Sequence, residues 1–337
     1  MKAVGYFENL PIDNDRSLED IEVDMPEIGD YDLLVAVKAV SVNPIDVKTR
    51  QTGKPFGKGA RILGFDASGI VQKTGKNVTS FRQGDEVFYA GAINRQGSNS
   101  QFQAIDSRLV AHKPKSIDFK TAAAMPLTSL TAYEMLFDRL DIKTPVHNGK
   151  NALLMIAGAG GVGSIAIELA RQLSDVEIIA TASRPQSQEW ALKMGAHHVI
   201  DHAKDFAPQL AKVGFPHPAF IFSTANSDGY LPQYVDIIAP EGRLGLIDGP
   251  KTFDINPLKM KSVSVHWESM FTRSMFVTDD IMRQGQILEH VAKLIDEKKI
   301  LPTLSKVMSP INAANLREAH RLIETHRSVG KLVLEGF

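Results

Sequence analysis

The chain has 337 residues, of which 43% are hydrophobic and 23% are charged, and its formal net charge is −1. This is the balance of an ordinary globular protein, long enough for two domains of roughly 150 residues each. A charge so close to zero gives no sign of nucleic-acid or membrane-surface binding. No stretch reads as a secretory leader or a membrane span, so we expect a cytoplasmic protein that has no nucleic-acid or membrane partner.

Cysteine is absent from the sequence. Its absence excludes disulfides, a catalytic cysteine and thiolate metal sites. The histidines His197, His198 and His202 lie close together, but their spacing is not that of a metal site. We therefore interpret them as structural or solvated residues.

The first third of the chain reads as short strands separated by glycine turns. The candidate strands are 2–7, 33–42, 64–71, one starting at 84, 101–106 and 109–112. Short strands at near-regular spacing predict a partly closed β-barrel.

After residue 119 the pattern changes to helices and then to alternating strands and helices. An amphipathic helix is predicted over 128–140, and strands are predicted at 152–156, 176–183, 198–201, 219–222, 242–247 and 262–266. Such an alternation predicts a doubly wound parallel sheet. Two further helices, over 279–298 and 312–324, and a strand over 330–334 follow the natural end of that sheet. We therefore predict that the sheet domain is inserted within another domain.

The segment Asn151–Gly163, NALLMIAGAGGVG, contains the most informative motif. A buried strand runs into Gly158, Gly160 and Gly163, spaced G-x-G-x-x-G, and an apolar-faced helix follows. In a dinucleotide site the first glycine permits the tight turn, the second lets the pyrophosphate approach, and the third allows close helix–strand packing. The helix N-terminus offers N–H groups to phosphate. The alternative is a glycine-rich loop without a ligand.

The next strand predicts which dinucleotide binds. It ends in Thr181-Ala182-Ser183-Arg184, without the carboxylate that usually meets a free ribose 2′-hydroxyl. Arg184 can bind a phosphate through two hydrogen bonds, and Ser183 can donate another. These residues favour NADPH over NADH. Alternatively, Arg184 is a solvated residue at a helix start.

Several motifs, in order along the chain, resemble the medium-chain dehydrogenase/reductase superfamily. Within it, the sequence is similar to the quinone-reductase branch and to the group of zinc-type alcohol dehydrogenase-like proteins. The motifs are SVNPIDVKTRQTG (41–53), LGFDASGIV (63–71), GDEVF (84–88), AAAMPLTSLTAYEML (122–136), GAGGVG (158–163), GA (195–196) and GKLVLEGF (330–337).

The resemblance implies an α/β fold in which a Rossmann doubly wound parallel sheet is inserted into a chaperonin-10-like β-barrel catalytic domain. It places the catalytic domain at 1–125 and 267–337 and the dinucleotide-binding domain at 126–266. It also implies an active site in the cleft between the domains and a homodimer, often formed through the sheet edges of two Rossmann domains.

The resemblance also bears on metal binding. Zinc alcohol dehydrogenases place Cys-x-x-Asp where this chain has Asn43 to Asp46, and Gly-His-Glu where it has Gly64-Phe65-Asp66. A third ligand is usually cysteine, as are the four ligands of the structural zinc. Because a catalytic zinc needs three good N, S or O ligands, we predict no bound metal.

The catalytic residues that the resemblance implies are Asn43, Asp46 and Thr131. The Asn43 amide can donate to a carbonyl oxygen, but a turn role before Pro44 is nearly as well supported. Asp46 either orients its neighbours or caps a helix. Thr131 resembles a threonine beside the nicotinamide, and its alternative is ordinary helix packing.

The predicted cofactor contacts combine the motif with the resemblance. They are Ala157, Gly158, Gly160, Gly161, Val162, Gly163, Ser183, Arg184, Ser223, Thr224 and Lys331. Lys331 resembles a position near the nicotinamide, and its alternative is an exposed strand lysine. Quinone reductases often carry a lysine where this chain has Ser187, so the 2′-phosphate would depend mainly on Arg184 and Ser183.

Together these features predict a zinc-independent, NADPH-dependent oxidoreductase that reduces quinones or α,β-unsaturated carbonyls by hydride transfer. Such acceptors are already electrophilic, so a hydrogen-bond donor to the developing oxyanion suffices. One alternative is a zinc-type alcohol or aldehyde dehydrogenase, which needs a metal or proton relay. Another is a protein that binds NADPH without turnover.

Overall fold

The structure is a computed structural model that describes residues 1–56, 59–147 and 149–337. Two compact units are present, the first built from Met1–Leu130 and Phe271–Phe337 and the second from Thr131–Met270. The second unit is therefore inserted in the sequence of the first. The domain boundaries at 125/126 and 266/267, and the roles given to the two domains, remain predictions.

Within the described ranges, strands dominate the first third of the chain, and strands and helices largely alternate from residue 150 on. The strands are Lys2–Tyr6 (β1), Glu19–Glu22 (β2), Asp32–Ser41 (β3), Arg61–Ile62 (β4), Ala67–Thr74 (β5), Glu86–Tyr89 (β6), Phe102–Asp106 (β7), Val110–His112 (β8), Lys150–Met155 (β9), Glu177–Thr181 (β10), His198–Ile200 (β11), Pro218–Ser223 (β12), Arg243–Leu246 (β13), Ser264–Trp267 (β14), Leu304–Met308 (β15) and Lys331–Glu335 (β16). The α-helices are Pro44–Thr52 (α1), Phe119–Ala123 (α2), Pro126–Tyr133 (α3), Gly161–Leu173 (α4), Pro185–Lys193 (α5), Phe206–Lys212 (α6), Ser227–Ile237 (α7), Thr272–Phe276 (α8), Arg283–Asp296 (α9) and Ala313–Glu324 (α10).

The first unit is organised around β3. This strand pairs antiparallel with β5 along one edge and with β7 and then β16 along the other. Strand β5 continues to β6 and β8, and β15 adds to β16, which gives seven strands in the described part of this sheet. The C-terminal strand thus completes a sheet begun by the N-terminal segment. A smaller sheet, β2-β1-β4, accompanies it.

The second unit contains a parallel sheet in the order β11-β10-β9-β12-β13-β14, counted over the residues that the structure places. Numbered from β9, this is the 3-2-1-4-5-6 order of doubly wound dinucleotide-binding folds. The prediction of such a sheet is confirmed. Its order reverses between β9 and β12, and ligands bind at such a reversal, at the carboxyl ends of the strands.

Helix α4 packs very closely on the strand that precedes it. A Cβ built on Gly163 would lie 2.5 Å from the carbonyl oxygen of Ala157, and one on Gly158 would lie 2.7 Å from the Cβ of Ala180. On Gly160 the nearest atom, the Ala157 oxygen, would be 3.4 Å away. Gly158 and Gly163 are therefore required by packing, whereas a side chain at Gly160 has room.

We predict that Gly163→Ala destabilises the second unit, because backbone atoms cannot yield to the new methyl group. Overpacking of this kind costs about 1–3 kcal/mol, which lowers the melting temperature by several degrees. Gly160→Ala, in the same turn, is the matched control, and its melting temperature should equal that of the wild type. Circular dichroism measures the melting temperatures. Equal melting temperatures of Gly163→Ala and the wild type would contradict this account of the packing.

Candidate functional site

The predicted cofactor contacts in the second unit follow three neighbouring strands. The glycine turn follows β9, Ser183 and Arg184 follow β10, and Thr224 follows β12. Gly158 N donates to Thr181 O over 3.0 Å, and Thr224 Oγ1 donates to Ile156 O over 3.0 Å. Because parallel strands end at one edge of a sheet, the three segments lie side by side at the reversal of strand order.

The glycine turn presents backbone rather than side chains. Ala157, with a φ of 56°, lies in the left-handed region, and its N–H donates to Thr181 Oγ1 over 2.9 Å. Helix α4 begins at Gly161 with Gly160 as its N-cap, and no described side chain caps it. Gly160, Gly161 and Val162 are partly exposed. The first N–H groups of the helix are thus left for an anion.

The end of β10 is fixed by the residue that departs from the quinone-reductase pattern. Ser187 is 5% exposed, accepts from Arg184 N over 3.2 Å and donates to Arg184 O over 2.8 Å. It therefore holds the backbone of Arg184 at the start of α5. Ser183 and Arg184 are both partly exposed. No carboxylate stands at the end of this strand, as the sequence predicts.

Ser223, the last residue of β12, and Thr224, which follows it, are hydrogen-bonded within the protein. The buried Ser223 hydroxyl lies 2.8 Å from the hydroxyls of both Ser227 and Tyr234. Ser227 in turn donates through its N–H and its hydroxyl to Asp248. Ser223 thus holds the loop that follows its strand, and only Thr224 is partly exposed. Thr131, near the end of α3 and 6% exposed, also belongs to the second unit.

The first unit brings together residues that are far apart in the sequence. Lys331, at the start of β16, donates from Nζ to Asn43 Oδ1 and, over 3.0 Å, to Asp66 Oδ2. Asn43 Nδ2 donates to the same Asp66 oxygen over 2.7 Å, and Leu127 N donates to Asp66 Oδ1 over 2.7 Å. The interpretation of Lys331 as an exposed strand lysine is wrong, since it is 3% exposed.

Asp46 lies next to this group. Its Oδ2 accepts from Asn43 N over 2.8 Å and its Oδ1 accepts from Gly64 N over 3.0 Å, so it both caps α1 and holds the 64–66 segment. Burial raises the pKa of Asp46 to about 7, while its two backbone hydrogen bonds and Lys331 act in the opposite direction. Burial also raises the pKa of Asp66, against the lowering effect of Lys331.

Sequence reasoning did not anticipate Asp66 and Asp248 as site residues. Asp66 appears in the sequence only as a replacement for a zinc ligand, and its partners lie 23, 61 and 265 positions away. Asp248 follows β13 and stabilises the 223–227 loop from a neighbouring strand. One signal in the sequence could have identified Asp66: it lies in a glycine-punctuated apolar segment, where a carboxylate needs a buried partner.

Two family comparisons match the two parts of this arrangement. The alcohol dehydrogenase GroES-like domain matches residues 29–113, and the zinc-binding dehydrogenase family matches residues 161–283. A zinc-type alcohol dehydrogenase-like protein of Staphylococcus epidermidis (strain ATCC 12228 / FDA PCI 1200) is 39% identical over 336 residues, which is 99% of each chain. The chain belongs to the medium-chain dehydrogenase/reductase superfamily.

Within this superfamily the chain is also similar to several other proteins. A solved structure from Rhizobium etli CFN 42, provisionally named a zinc-dependent alcohol dehydrogenase, is 52% identical with a TM-score of 0.98, covering 100% of this chain and 98% of that one. The chloroplastic NADPH-dependent alkenal/one oxidoreductase of Arabidopsis thaliana is 28% identical over 99% of this chain and 79% of its own. The NADPH complex of Escherichia coli quinone oxidoreductase shares the fold, with a TM-score of 0.84 and 24% identity. The match covers 99% of this chain and 100% of that one.

The zinc in the group's name raises the question whether these residues fit zinc. They do not: Asn43 and Asp66 hold the ammonium of Lys331, and the side chain of Phe65 is buried edge-on against Phe271, with ring centroids 5.3 Å apart. Neither a ring carbon nor an amide that accepts from an ammonium is a zinc ligand. In the described residues, no group of three or more histidines and carboxylates is arranged to hold a metal ion. Among the helices that the structure places, none is long and apolar enough to cross a membrane.

The raised pKa of Asp46 gives a prediction for stability. Because the folded-state pKa of about 7 lies above the ordinary value near 4, the folded protein takes up a proton. The resulting stabilisation is complete below about pH 4 and is lost as the pH rises through 7. From about pH 5 to about pH 8, Asp46 should lower the free energy of unfolding by about 2–3 kcal/mol.

Asp46→Asn removes this titrating group and keeps its size. Urea unfolding of both proteins at the two pH values measures the effect of Asp46 together with its coupling to Asp66 and Lys331, since distant titrating groups cancel in the double difference. The pH-dependent loss should be smaller in the variant by the amount given above, although the variant is less stable throughout. The same pH-dependent loss in both proteins would show that Asp46 does not titrate in this range.

Proposed function

We propose that the protein is an NADPH-dependent oxidoreductase that reduces α,β-unsaturated carbonyl compounds or quinones without zinc. The observation that carries the proposal is the end of β10, where partly exposed Ser183 and Arg184 replace the carboxylate expected for NADH. They stand beside a glycine turn whose helix has no side-chain cap.

The second unit fits a dinucleotide at this edge. The room at Gly160 and the first N–H groups of α4 suit a pyrophosphate. Arg184, with its backbone fixed by Ser187, suits the planar recognition of a 2′-phosphate. Thr224 is the partly exposed residue after β12, and Ser223 keeps that loop in place. When bound, NADPH supplies a hydride.

The class of acceptor follows from the residues of the first unit. Asn43, Asp66 and Lys331 offer hydrogen bonds and a positive charge but not the three ligands that a catalytic zinc needs. A carbonyl conjugated to a double bond accepts a hydride without a strong Lewis acid, and quinones share this property. The name of the Arabidopsis relative, an alkenal/one oxidoreductase, supports the same class of acceptor.

Two other functions predict different results. An alcohol or aldehyde dehydrogenase would depend on a metal or proton relay, and the residues at the zinc-ligand positions do not fit a metal. A protein that only binds NADPH would turn over no acceptor. A homodimer remains a prediction; β14 is the edge strand of the sheet, and its Trp267 is 52% exposed.

We predict that Arg184→Ala loses the preference for NADPH. Charge-assisted hydrogen bonds to a phosphate contribute about 1.5–3 kcal/mol, so the KM for NADPH should rise about 10- to 100-fold while that for NADH stays unchanged. Initial rates of NADPH and NADH oxidation, with a quinone and an enone as acceptors, measure this. Arg171→Ala, at an exposed arginine of α4, is the matched control.

Equal use of NADH and NADPH by the wild type would contradict the role of Arg184. NADPH binding without oxidation, over the whole panel of acceptors, would favour the binding protein. Oxidation of alcohols that is lost on treatment with a chelator would favour the alcohol dehydrogenase.

A further inference from the structure

Hydrogen bonds hold the polar side-chain atoms of the buried group formed by Asn43, Asp66 and Lys331. The orientation of the Asn43 amide is set by chemistry: its oxygen faces an ammonium, which can only donate, and its nitrogen faces a carboxylate, which can only accept. Asp66 receives three donors, so both of its oxygens are engaged. The side chains of Lys331 and Asp66 are 4% and 0% exposed.

Among the described residues, two donor hydrogens of this group lack an acceptor. An ammonium carries three hydrogens, and Lys331 Nζ has two acceptors among the residues that the structure describes. An amide nitrogen carries two, and Asn43 Nδ2 has one acceptor in the same part of the chain. Burying a polar hydrogen without a partner is unfavourable. A ligand oxygen would satisfy such a hydrogen.

The charge of Lys331 favours a ligand oxygen that carries or develops negative charge. Lys331 is a full positive charge in a buried environment, where electrostatic interactions are stronger than in water. Asp66 keeps the ammonium in place, and its two oxygens already accept hydrogen bonds from three donors. The third N–H of the fixed Lys331 ammonium therefore suits a ligand oxygen on which negative charge develops.

We propose that Lys331 is a catalytic residue that donates a hydrogen bond to the carbonyl oxygen of the acceptor, with Asn43 and Asp66 as positioning residues. This inference rests on the proposed function. When the acceptor gains a hydride at its electrophilic carbon, the electron pair displaced from the conjugated double bond moves to the oxygen, which Lys331 stabilises. A proton from water then completes the neutral product, and the cofactor leaves oxidised.

The inference differs from the cofactor-binding role that the family resemblance gives to Lys331. A lysine that binds the nicotinamide would affect the dissociation constant for NADPH. A lysine that stabilises the acceptor oxygen affects kcat and leaves that constant unchanged. The two roles are therefore separable in one variant.

The absence of cysteine from the chain permits a sharp test. Lys331→Cys introduces a single thiol, which is alkylated in mild denaturant either with 2-bromoethylamine, restoring an ammonium of similar length, or with iodoacetamide, giving a neutral adduct. The matched control is Lys113→Cys with the same two treatments. Lys113 is 8% exposed in the same unit, and its Nζ donates to the carbonyls of Pro114 and Ile117.

We expect Lys331→Cys to lower kcat for an enone about 100- to 1,000-fold, as the loss of an oxyanion donor does, with the dissociation constant for NADPH unchanged. Aminoethylation should restore most of the rate, and the neutral adduct should not. The Lys113 variants should keep the wild-type kcat. An unchanged kcat, equal rates for the two adducts, or a raised dissociation constant at unchanged kcat would overturn the proposal.

A second measurement does not depend on turnover or on the variant. The carbonyl stretching frequency of cyclohexanone bound to the wild-type protein with NADP⁺ reports hydrogen bonding to its oxygen. A frequency below that of cyclohexanone in water supports the proposal, and one equal to that in an apolar solvent overturns it. If no acceptor is reduced although this frequency is lowered, the proposed function fails and a hydrogen bond to the carbonyl oxygen stands, whose donor the Lys331→Cys variant identifies.

Discussion

The carboxylate of Asp66 is the interaction on which the first unit depends most. It accepts from the side chains of Asn43 and Lys331 and from the backbone of Leu127, and so joins the start of α1, the start of α3 and the C-terminal strand. A buried carboxylate without partners would be very unfavourable. The requirement to satisfy it brings residues 265 positions apart into one small group.

The second unit depends on a different constraint, which is close packing of backbone. Gly158 and Gly163 have no room for a side chain, and this closeness sets where α4 begins. Thr181 holds Ala157, and Ile156 is held by Thr224, so the ends of three strands are bonded together. The helix N-terminus is thereby presented at a fixed place. The same packing that stabilises the unit prepares it for an anion.

The sequence was sufficient for the features that depend on local patterns. The strand, glycine turn and helix around Gly160 follow from spacing and periodicity, and the doubly wound parallel sheet follows from alternation of strands and helices. Asn312, the first residue of the helix predicted over 312–324, caps α10. In contrast, the predicted helix over 128–140 is α3 continued by a π-helix, Glu134–Arg139, for which spacing gives no signal.

Features that depend on long-range pairing were not accessible from the sequence. Lys331 precedes an apolar strand, and its local pattern does not show whether it faces solvent or an aspartate. Ser223 ends β12, but its hydroxyl faces Ser227 and Tyr234, which only the packing of α7 reveals. Strands β2 and β15 were missed because neither carries an alternating apolar pattern.

The central claim is hydride transfer to an electrophilic acceptor without zinc. A single turnover with NADPH deuterated at C4, an enone and protein of measured metal content tests it most directly. The account predicts that mass spectrometry finds the deuterium at the β-carbon of the saturated product, at the same rate before and after chelator treatment. Product without deuterium from either C4 position, or transfer that needs stoichiometric zinc, would contradict it.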